Sequence, residues 1–321
     1  MVNPYVNTDW NGVQVKSVSH AHVLSQSDMD KVSALGYEHI PVSHYLPSSP
    51  RYPLESFFST VPDGVISSPN SEKVRMYGEV GHICALGSFL EGYGWTAGDA
   101  SASWQKVFKE ILANLQYADG GGITLNHPSD MDFVLRKKML DFDKRVLGIE
   151  IYNNMMDVYE GITDYCIRFV ELWDKILSTG RKCLGFCAID WPSAAYEPLM
   201  GSNMLVVPEK TEHECLKAYR NGSFYCVIRD NGIRFTDITA DNAHVECTIS
   251  DSATLRIITQ DGIVKTETGT GISYTFGDGD IYTRIEVSSS NDFKDTMFSQ
   301  PIILKPSNHY GDLRKKQLLL L

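Results

Sequence analysis

The residues with the clearest chemical capacity in this sequence are histidines and carboxylates that recur where apolar runs end. His20 and His22 lie one residue apart in Val18-Ser19-His20-Ala21-His22. Side chains two apart in an extended segment project to the same face. Both imidazoles can therefore converge on one point, and a metal ion is the natural occupant. His44 ends the run Ile40-Pro41-Val42-Ser43-His44, and Glu72 comes before a short polar turn to His82. His82 opens Gly81-His82-Ile83-Cys84-Ala85-Leu86-Gly87, and His127 closes Ile123-Thr124-Leu125-Asn126-His127, where Pro128 stops continuation. Glu150 and Asn153 lie in Gly148-Ile149-Glu150-Ile151-Tyr152-Asn153, and Asp190 follows Gly185-Phe186-Cys187-Ala188-Ile189. Imidazole with carboxylate suits Zn, Mn or Fe, and a carboxylate such as Glu72 can bridge two ions.

Positioning such a set requires several strand ends that face the same way. Between the apolar runs lie amphipathic stretches. Trp104 to Tyr117 carries Trp104, Val107, Phe108, Ile111, Leu112 and Leu115 at helical spacing. A second helix is predicted from about Asp157 to Leu177, with Gly180 as its stop. Ser129 with Asp132 and Thr211 with Glu214 have the spacing of capping boxes, the latter before a helix ending near Gly222. Strand–helix alternation of this kind predicts a parallel sheet or an α/β barrel, whose strand ends gather functional groups. After about Asn221 helical periodicity disappears. Short strands are predicted at 224–228, 244–249, 254–259, 272–276 and 282–287, separated by turn sequences such as Asp230-Asn231-Gly232 and Asp261-Gly262. That pattern predicts a small antiparallel β-sandwich. The expected organisation is a barrel over 1–220, a sandwich over 221–305 and a tail over 306–321.

Composition narrows the function classes. A formal charge of −11 argues against binding a nucleic-acid polymer through a broad basic face. It leaves room for a small phosphorylated substrate, because divalent ions reverse local charge. No stretch has the length of a membrane span, the N-terminal residues have no signal-peptide core, and Leu318 to Leu321 is too short for either. The seven cysteines are scattered without a CxxC pair, and buried free thiols and a cytoplasmic location are expected. No Ser-x-x-Lys, Gly-x-Ser-x-Gly or Walker-type run supplies another nucleophile or phosphate loop. Lys16, Arg51, Lys73 and Arg75 lie near the motif segments, either as phosphate contacts or as solvated charge. His39, His213, His244 and His309 lie outside the constellation and are expected to be structural or superficial.

The order of these motifs resembles the PHP family, the polymerase and histidinol phosphatase metallophosphoesterases, over about residues 15 to 205. The later part is similar to the β-sandwich that follows PHP domains in some bacterial metallohydrolases. The resemblance implies an α/β fold, a distorted seven-stranded (β/α) TIM-like barrel, with two or three divalent ions. His20, His22, Glu72 and Asp190 would hold the first ion, and Glu72, His82 and His127 the second. A third would draw on His44 and a loop residue, for which Asp28 is the candidate. The family often has Asp-x-His where this chain has Asp190-Trp191-Pro192, and commonly an Asp where it has Ser43. A binuclear site is therefore the expectation. Glu150 and Asn153 would stand at the barrel mouth, either behind a ligand histidine or holding a loop. The implied activity is hydrolysis of a small phosphomonoester or phosphodiester, with a metal-activated water as nucleophile. Two other readings stay open. One is an amidohydrolase-type enzyme acting on a non-phosphate bond. The other is a degenerate barrel whose sandwich binds carbohydrate or protein, with Tyr274, Phe276 and Tyr282 as available aromatics. Oligomeric state is not legible.

Overall fold

A computed structural model of the chain describes residues 1–44, 49–76, 81–95, 100–128, 133–159, 165–192 and 198–307. Its first two-thirds contains β1 (Val13–Ser17), α1 (Gln26–Ala34), β2 (Glu72–Lys73), β3 (Ile83–Leu86), α2 (Trp104–Ala113), β4 (Gly122–Leu125), α3 (Phe133–Leu140), β5 (Val146–Asn153), α4 (Asn154–Tyr159), α5 (Tyr165–Leu177), β6 (Leu184–Ala188), β7 (Ser202–Val207) and α6 (Glu212–Asn221). Strands dominate the remainder: β8 (Phe224–Val227), β9 (Phe235–Ala240), β10 (His244–Thr259), β11 (Gly262–Thr275), β12 (Tyr282–Ser288), β13 (Thr296–Ser299) and β14 (Ile302–Ile303). The capping box expected at Ser129 and Asp132, His309 and the tail beyond 307 lie outside the described residues.

The fold is mixed α/β, built on two sheets. The first has the order β2-β3-β4-β5-β6. Its β3, β4, β5 and β6 are buried along their whole length, as near-continuous apolar strands require. β4–β5 and β5–β6 run parallel, whereas β2–β3 and β3–β4 run antiparallel. The sequence pattern predicted parallel neighbours throughout, because a period-2 or apolar run carries no sign of direction. Helix α5 packs on this sheet through Trp173, whose indole donates to the Cys183 carbonyl. A Cβ at Gly185 would stand 2.9 Å from that indole, so this position must stay glycine for the helix to sit so close.

The segments carrying His20, His22 and His44 join the sheet without regular ladders. Parallel bridges link Ser17 with His39, His39 with Ile66, and Ala21 with Asp190. The Ser43 amide donates to Ala21, the Glu72 amide to Ser43 and the Ala85 amide to Ser71. At the other side the amides of His22 and Asp190 donate to the carbonyls of Asp190 and His20. The predicted strand at 40–42 is irregular for a physical reason. Pro41 has no donor, the Ser43 hydroxyl accepts from the Ala21 amide, and Asn70 Nδ2 donates to the carbonyls of Ser19 and Pro41.

The second sheet runs β1-β7-β8-β13-β12-β10-β11, with β9 on β10 and β14 on β12, every pair antiparallel. It therefore takes in β1 and β7 from the N-terminal part as well as every later strand. Alternating burial along the start of β10 puts Val245, Cys247 and Ile249 into a core with Leu255, Ile257, Ile285 and Val287. The strands predicted at 244–249 and 254–259 form one sixteen-residue strand, bent by a register shift between Thr248 and Ala253. Tyr282 is buried in the larger core, and Tyr274 and Phe276 pack against the second, so these aromatics serve packing.

Helix ends follow local chemistry. Thr211 caps α6 through the Glu214 amide, and α6 closes at Gly222 with φ 89°. α2 ends at Ala113 rather than Tyr117 because Asn114 and Gln116 leave the helix to bond Phe89 and Gly87. The stretch predicted as one helix over 157–177 holds the end of α4 and all of α5, with 160–164 outside the described residues. All seven cysteines are buried and unpaired. Among the described residues, no helix is long and apolar enough to cross a membrane.

Candidate metal centre

Six of the predicted ligands come together at one edge of the first sheet. His20 and His22 follow β1, His127 follows β4 and Asp190 follows β6. Glu72 lies within β2, opposite Cys84. His82 precedes β3 instead of trailing it, and because β3 is reversed, its start lies at the same edge as the ends of the parallel strands.

The geometry is that of a ligand set. His22 Nε2 lies 3.0 Å from Glu72 Oε2 and 3.3 Å from Asp190 Oδ1. His20 Nε2 lies 3.2 Å from His22 Nε2, 3.5 Å from Glu72 Oε1 and 3.4 Å from Asp190 Oδ1. The same Glu72 Oε1 is also 3.1 Å from His82 Nδ1 and 3.5 Å from His127 Nε2. Four donors about 2.1 Å from one ion stand about 3.4 Å apart in a tetrahedron. The observed separations match those edges, so the residues present fit divalent ions. Ligand atoms of His20, His22 and Glu72, of His20, His127 and Asp190, and of Glu72, His82 and His127 each lie within 4.8 Å of one another.

Behind the ligands stands a layer of orienting groups. Glu150 Oε1 takes His20 Nδ1 at 2.8 Å, which turns the Nε2 lone pair of that ring inward. Glu150 Oε2 accepts from the His127 amide at 2.6 Å and from Asn153 Nδ2 at 2.9 Å. Asn153 also reaches Asp190 Oδ2, and Asn126 Nδ2 donates to Glu72 Oε1 at 2.9 Å. Asn126 was missed at the sequence level, although it immediately precedes His127. His127 and Asp190 have φ of 21° and 65°, left-handed values rare outside glycine. Strain of this kind is held where function fixes a side chain.

The electrostatics ask for positive charge. Burial disfavours the charged form of each group. For His20 that effect is outweighed, chiefly by the Asp190 carboxylate, and its pKa lies well above the usual range. Burial is likewise overcome at His22 by Asp190 and Glu72, and at His127 by Glu72 and Glu150, so both are raised. Burial would raise Asp190, yet the His20 and His22 charges hold it at about 2, and the same imidazoles keep Glu72 well below its usual range. Among the described residues, the ion-pair partners of Glu72 and Asp190 are all imidazoles. A bound cation meets the demand that protonated rings meet here.

The other candidates are placed elsewhere or differently. His44 Nδ1 lies 3.4 Å from His22 Nδ1, on the far side of that ring from the cluster. Trp191 stacks on His22 at 4.4 Å and meets His44 edge-on at 6.2 Å. Asp28 does not join them: its carboxylate accepts from the amides of Leu24 and Ser25 and the Ser25 hydroxyl, completing the α1 capping box. Lys16 Nζ bonds the Leu35 carbonyl and Asp230 and lines a cavity of about 530 Å³ that contains none of the ligand residues. Arg51 Nη1 donates to the Leu24 carbonyl, just past His22. Lys73 is buried, donates to the carbonyls of Leu90 and Gly92, and is pulled by desolvation to about 7. Arg75 holds the Trp95 carbonyl. His39 is a core residue between the Ser17 and Ser68 hydroxyls, while His213 and His244 pair with Asp119 and Asp241 at the surface.

No protein-family model matches the chain, and no curated protein sequence does. One solved structure is similar: a two-domain protein containing a predicted PHP-like metal-dependent phosphoesterase from Bacteroides vulgatus ATCC 8482. The two share 14% identity over 92% of this chain and 96% of that one, with a TM-score of 0.46.

Proposed function

We propose that this chain is a metal-dependent phosphoesterase of the PHP type, acting on a small phosphomonoester or phosphodiester at a binuclear centre. The observation that carries the reading is the position of Glu72. One of its oxygens faces His22 and the other faces His20, His82 and His127, with Asp190 against His20 and His22. A buried carboxylate between two imidazole groups is the arrangement that bridges two ions. When bound there, Zn, Mn or Fe would supply Lewis acidity, ionising a water as nucleophile and offsetting charge on the phosphoryl and leaving oxygens. The chain's own part is to fix the donors: Glu150 sets the His20 ring, Asn126 and Asn153 hold Glu72 and Asp190, and burial keeps bulk water from His20, His22, Glu72 and Asp190.

The succession of hydrogen-bonded segments from residue 17 through 43, 72, β3, β4, β5 and β6 back to His20 supports reading the α/β part as a distorted seven-stranded barrel. On the same reading, residues 1–220 carry the metal centre and 221–305 supply most of the antiparallel sheet that β1 and β7 complete. Buried, unpaired thiols support a cytoplasmic location.

Elemental analysis of the purified protein, paired with anomalous scattering, tests this. Two ions per chain sharing Glu72 are expected, and Glu72→Gln should lose at least one of them together with phosphoester hydrolysis. Fully loaded protein that cleaves amides or lactones but leaves a broad phosphoester panel untouched would overturn it.

A further inference from the structure

The later strands touch the metal centre at one remove, through Asn153 at the end of β5. Its Oδ1 accepts from the Met156 amide at 3.2 Å and so caps α4. In a side-chain amide the oxygen accepts and the nitrogen donates, so this bond fixes which way the group is turned. Nδ2 is thereby aimed at Glu150 Oε2, 2.9 Å away, and at Asp190 Oδ2, 3.1 Å away. The orientation of one proposed ligand, and of the carboxylate behind His20, thus depends on where the first turn of α4 sits.

α4 cannot hold that turn by itself. It has six residues, well below the length of about 12 to 15 at which an isolated helix becomes even marginally stable. Its Asp157 side chain is fully buried, and a buried carboxylate is costly unless it is paired. The counter-charge comes from the other sheet: Lys294 Nζ lies 2.7 Å from Asp157 Oδ2. The Tyr152 hydroxyl donates to the same oxygen at 3.3 Å, while Asp157 Oδ1 is buried with no hydrogen-bond partner among the described residues. Lys294 is itself anchored. It sits in a turn, Phe293–Asp295, between β12 and β13. The Arg229 amide donates to its carbonyl at 2.9 Å, the Arg229 guanidinium reaches Asp295 at 2.6 Å, and its own amide donates to Asp292 Oδ1 at 3.0 Å. Contacts therefore run without a gap from the end of β8 through Lys294, Asp157, Met156 and Asn153 to Asp190.

We propose that Lys294 is a positioning residue for the metal centre: by pairing with Asp157 it holds α4 where Asn153 orients Asp190 and Glu150. This rests on the metal-dependent reading and adds what a turn of the C-terminal strands does for that site.

The test is Zn affinity, measured by chelator competition on the full chain where near-ultraviolet circular dichroism shows each variant folded. Lys294→Met leaves Asp157 buried without its cation, and Zn binding should weaken about 2- to 30-fold. Asp157→Asn breaks the same pair without leaving a buried anion, and its loss should fall in the same range. Lys294→Arg restores the charge and should recover most of the affinity. Arg284→Ala breaks a different tie between the sheets, to Asp174 on α5, and should lower stability to urea without weakening Zn binding. Wild-type affinity in Lys294→Met or Asp157→Asn overturns the proposal, as does an equal loss in Arg284→Ala or no recovery in Lys294→Arg. Hydrolysis is read separately. Phosphoester turnover by a wild type whose Zn affinity ignores Lys294 would sink this inference and leave the phosphoesterase reading intact. A Lys294-dependent Zn affinity in a protein that hydrolyses no phosphoester would do the reverse.

Discussion

A histidine becomes a usable ligand only when its second nitrogen is committed elsewhere, and Glu150 does this for His20. The same carboxylate holds the His127 amide and Asn153, so it joins three parts of the centre without facing the metal positions itself. Glu150→Gln replaces one acceptor oxygen with a donor and should weaken metal binding about 10- to 100-fold while the fold survives. Chelator competition measures this, and unchanged affinity would show that Glu150 only holds a loop. The cluster of imidazoles and carboxylates was legible because such residues at run ends leave a pattern in one dimension. Asn126 and Trp191 left no such mark. An amide or an indole is common in ordinary loops, and only the fold shows what it touches. Asp28 misled for the converse reason: an acid near a histidine pair looks like a ligand, but the Ser25-x-x-Asp28 spacing already committed it to a helix end.

At the scale of elements, strand existence was readable and strand direction was not. β3 is the telling case. Its candidate ligand, His82, precedes the strand where His127 and Asp190 follow theirs, and that inversion is the sequence trace of its reversal. The long β10 was expected as two strands, 244–249 and 254–259, whereas the sheet joins them through a register shift. Between the two sheets, α5 and β12 are fastened by Arg284. Its guanidinium grips Asp174 through two bonds of 2.7 Å, reaches Glu286 at 2.6 Å and lies over the Trp173 ring. Arg284→Ala would leave the partly buried carboxylates of Asp174 and Glu286 without their shared cation. A loss of about 3 kcal/mol is expected, the low end for a broken buried pair because Asp174 keeps some water contact. Urea unfolding measures it, and a loss below about 1 kcal/mol would show the contact to be incidental.

Taken whole, the molecule depends on pairings between distant parts of the chain, and His39 stands at one of them. It bridges Ser17 and Ile66 through the backbone and Ser17 and Ser68 through its ring. Burial lowers its pKa to about 3. Above the usual value near 6.5 the ring is neutral folded or unfolded, and contributes no pH dependence. Between about 6.5 and 3 only the unfolded chain takes the proton, so stability falls as pH falls, by up to about 1.4 kcal/mol per unit. The stability difference between wild type and His39→Gln should therefore narrow from pH 7 to pH 5, as read from urea midpoints. A constant difference would show that His39 takes up a proton inside the fold. Fold class and the change of texture near residue 221 were legible because composition and period are local. The sharing of one sheet by β1, β7 and the later strands was not, because pairing across the chain leaves no periodic signal. That sharing has a consequence for biosynthesis. Val13 pairs with Val207, 207 − 13 = 194 residues later. At roughly 5 to 20 residues per second, β1 and the histidine pair behind it wait about 10 to 40 s on the ribosome for their partners. During that interval His20 and His22 stand on a chain that lacks Glu72, His82, His127 and Asp190 beside them, so the six groups can meet only late in synthesis.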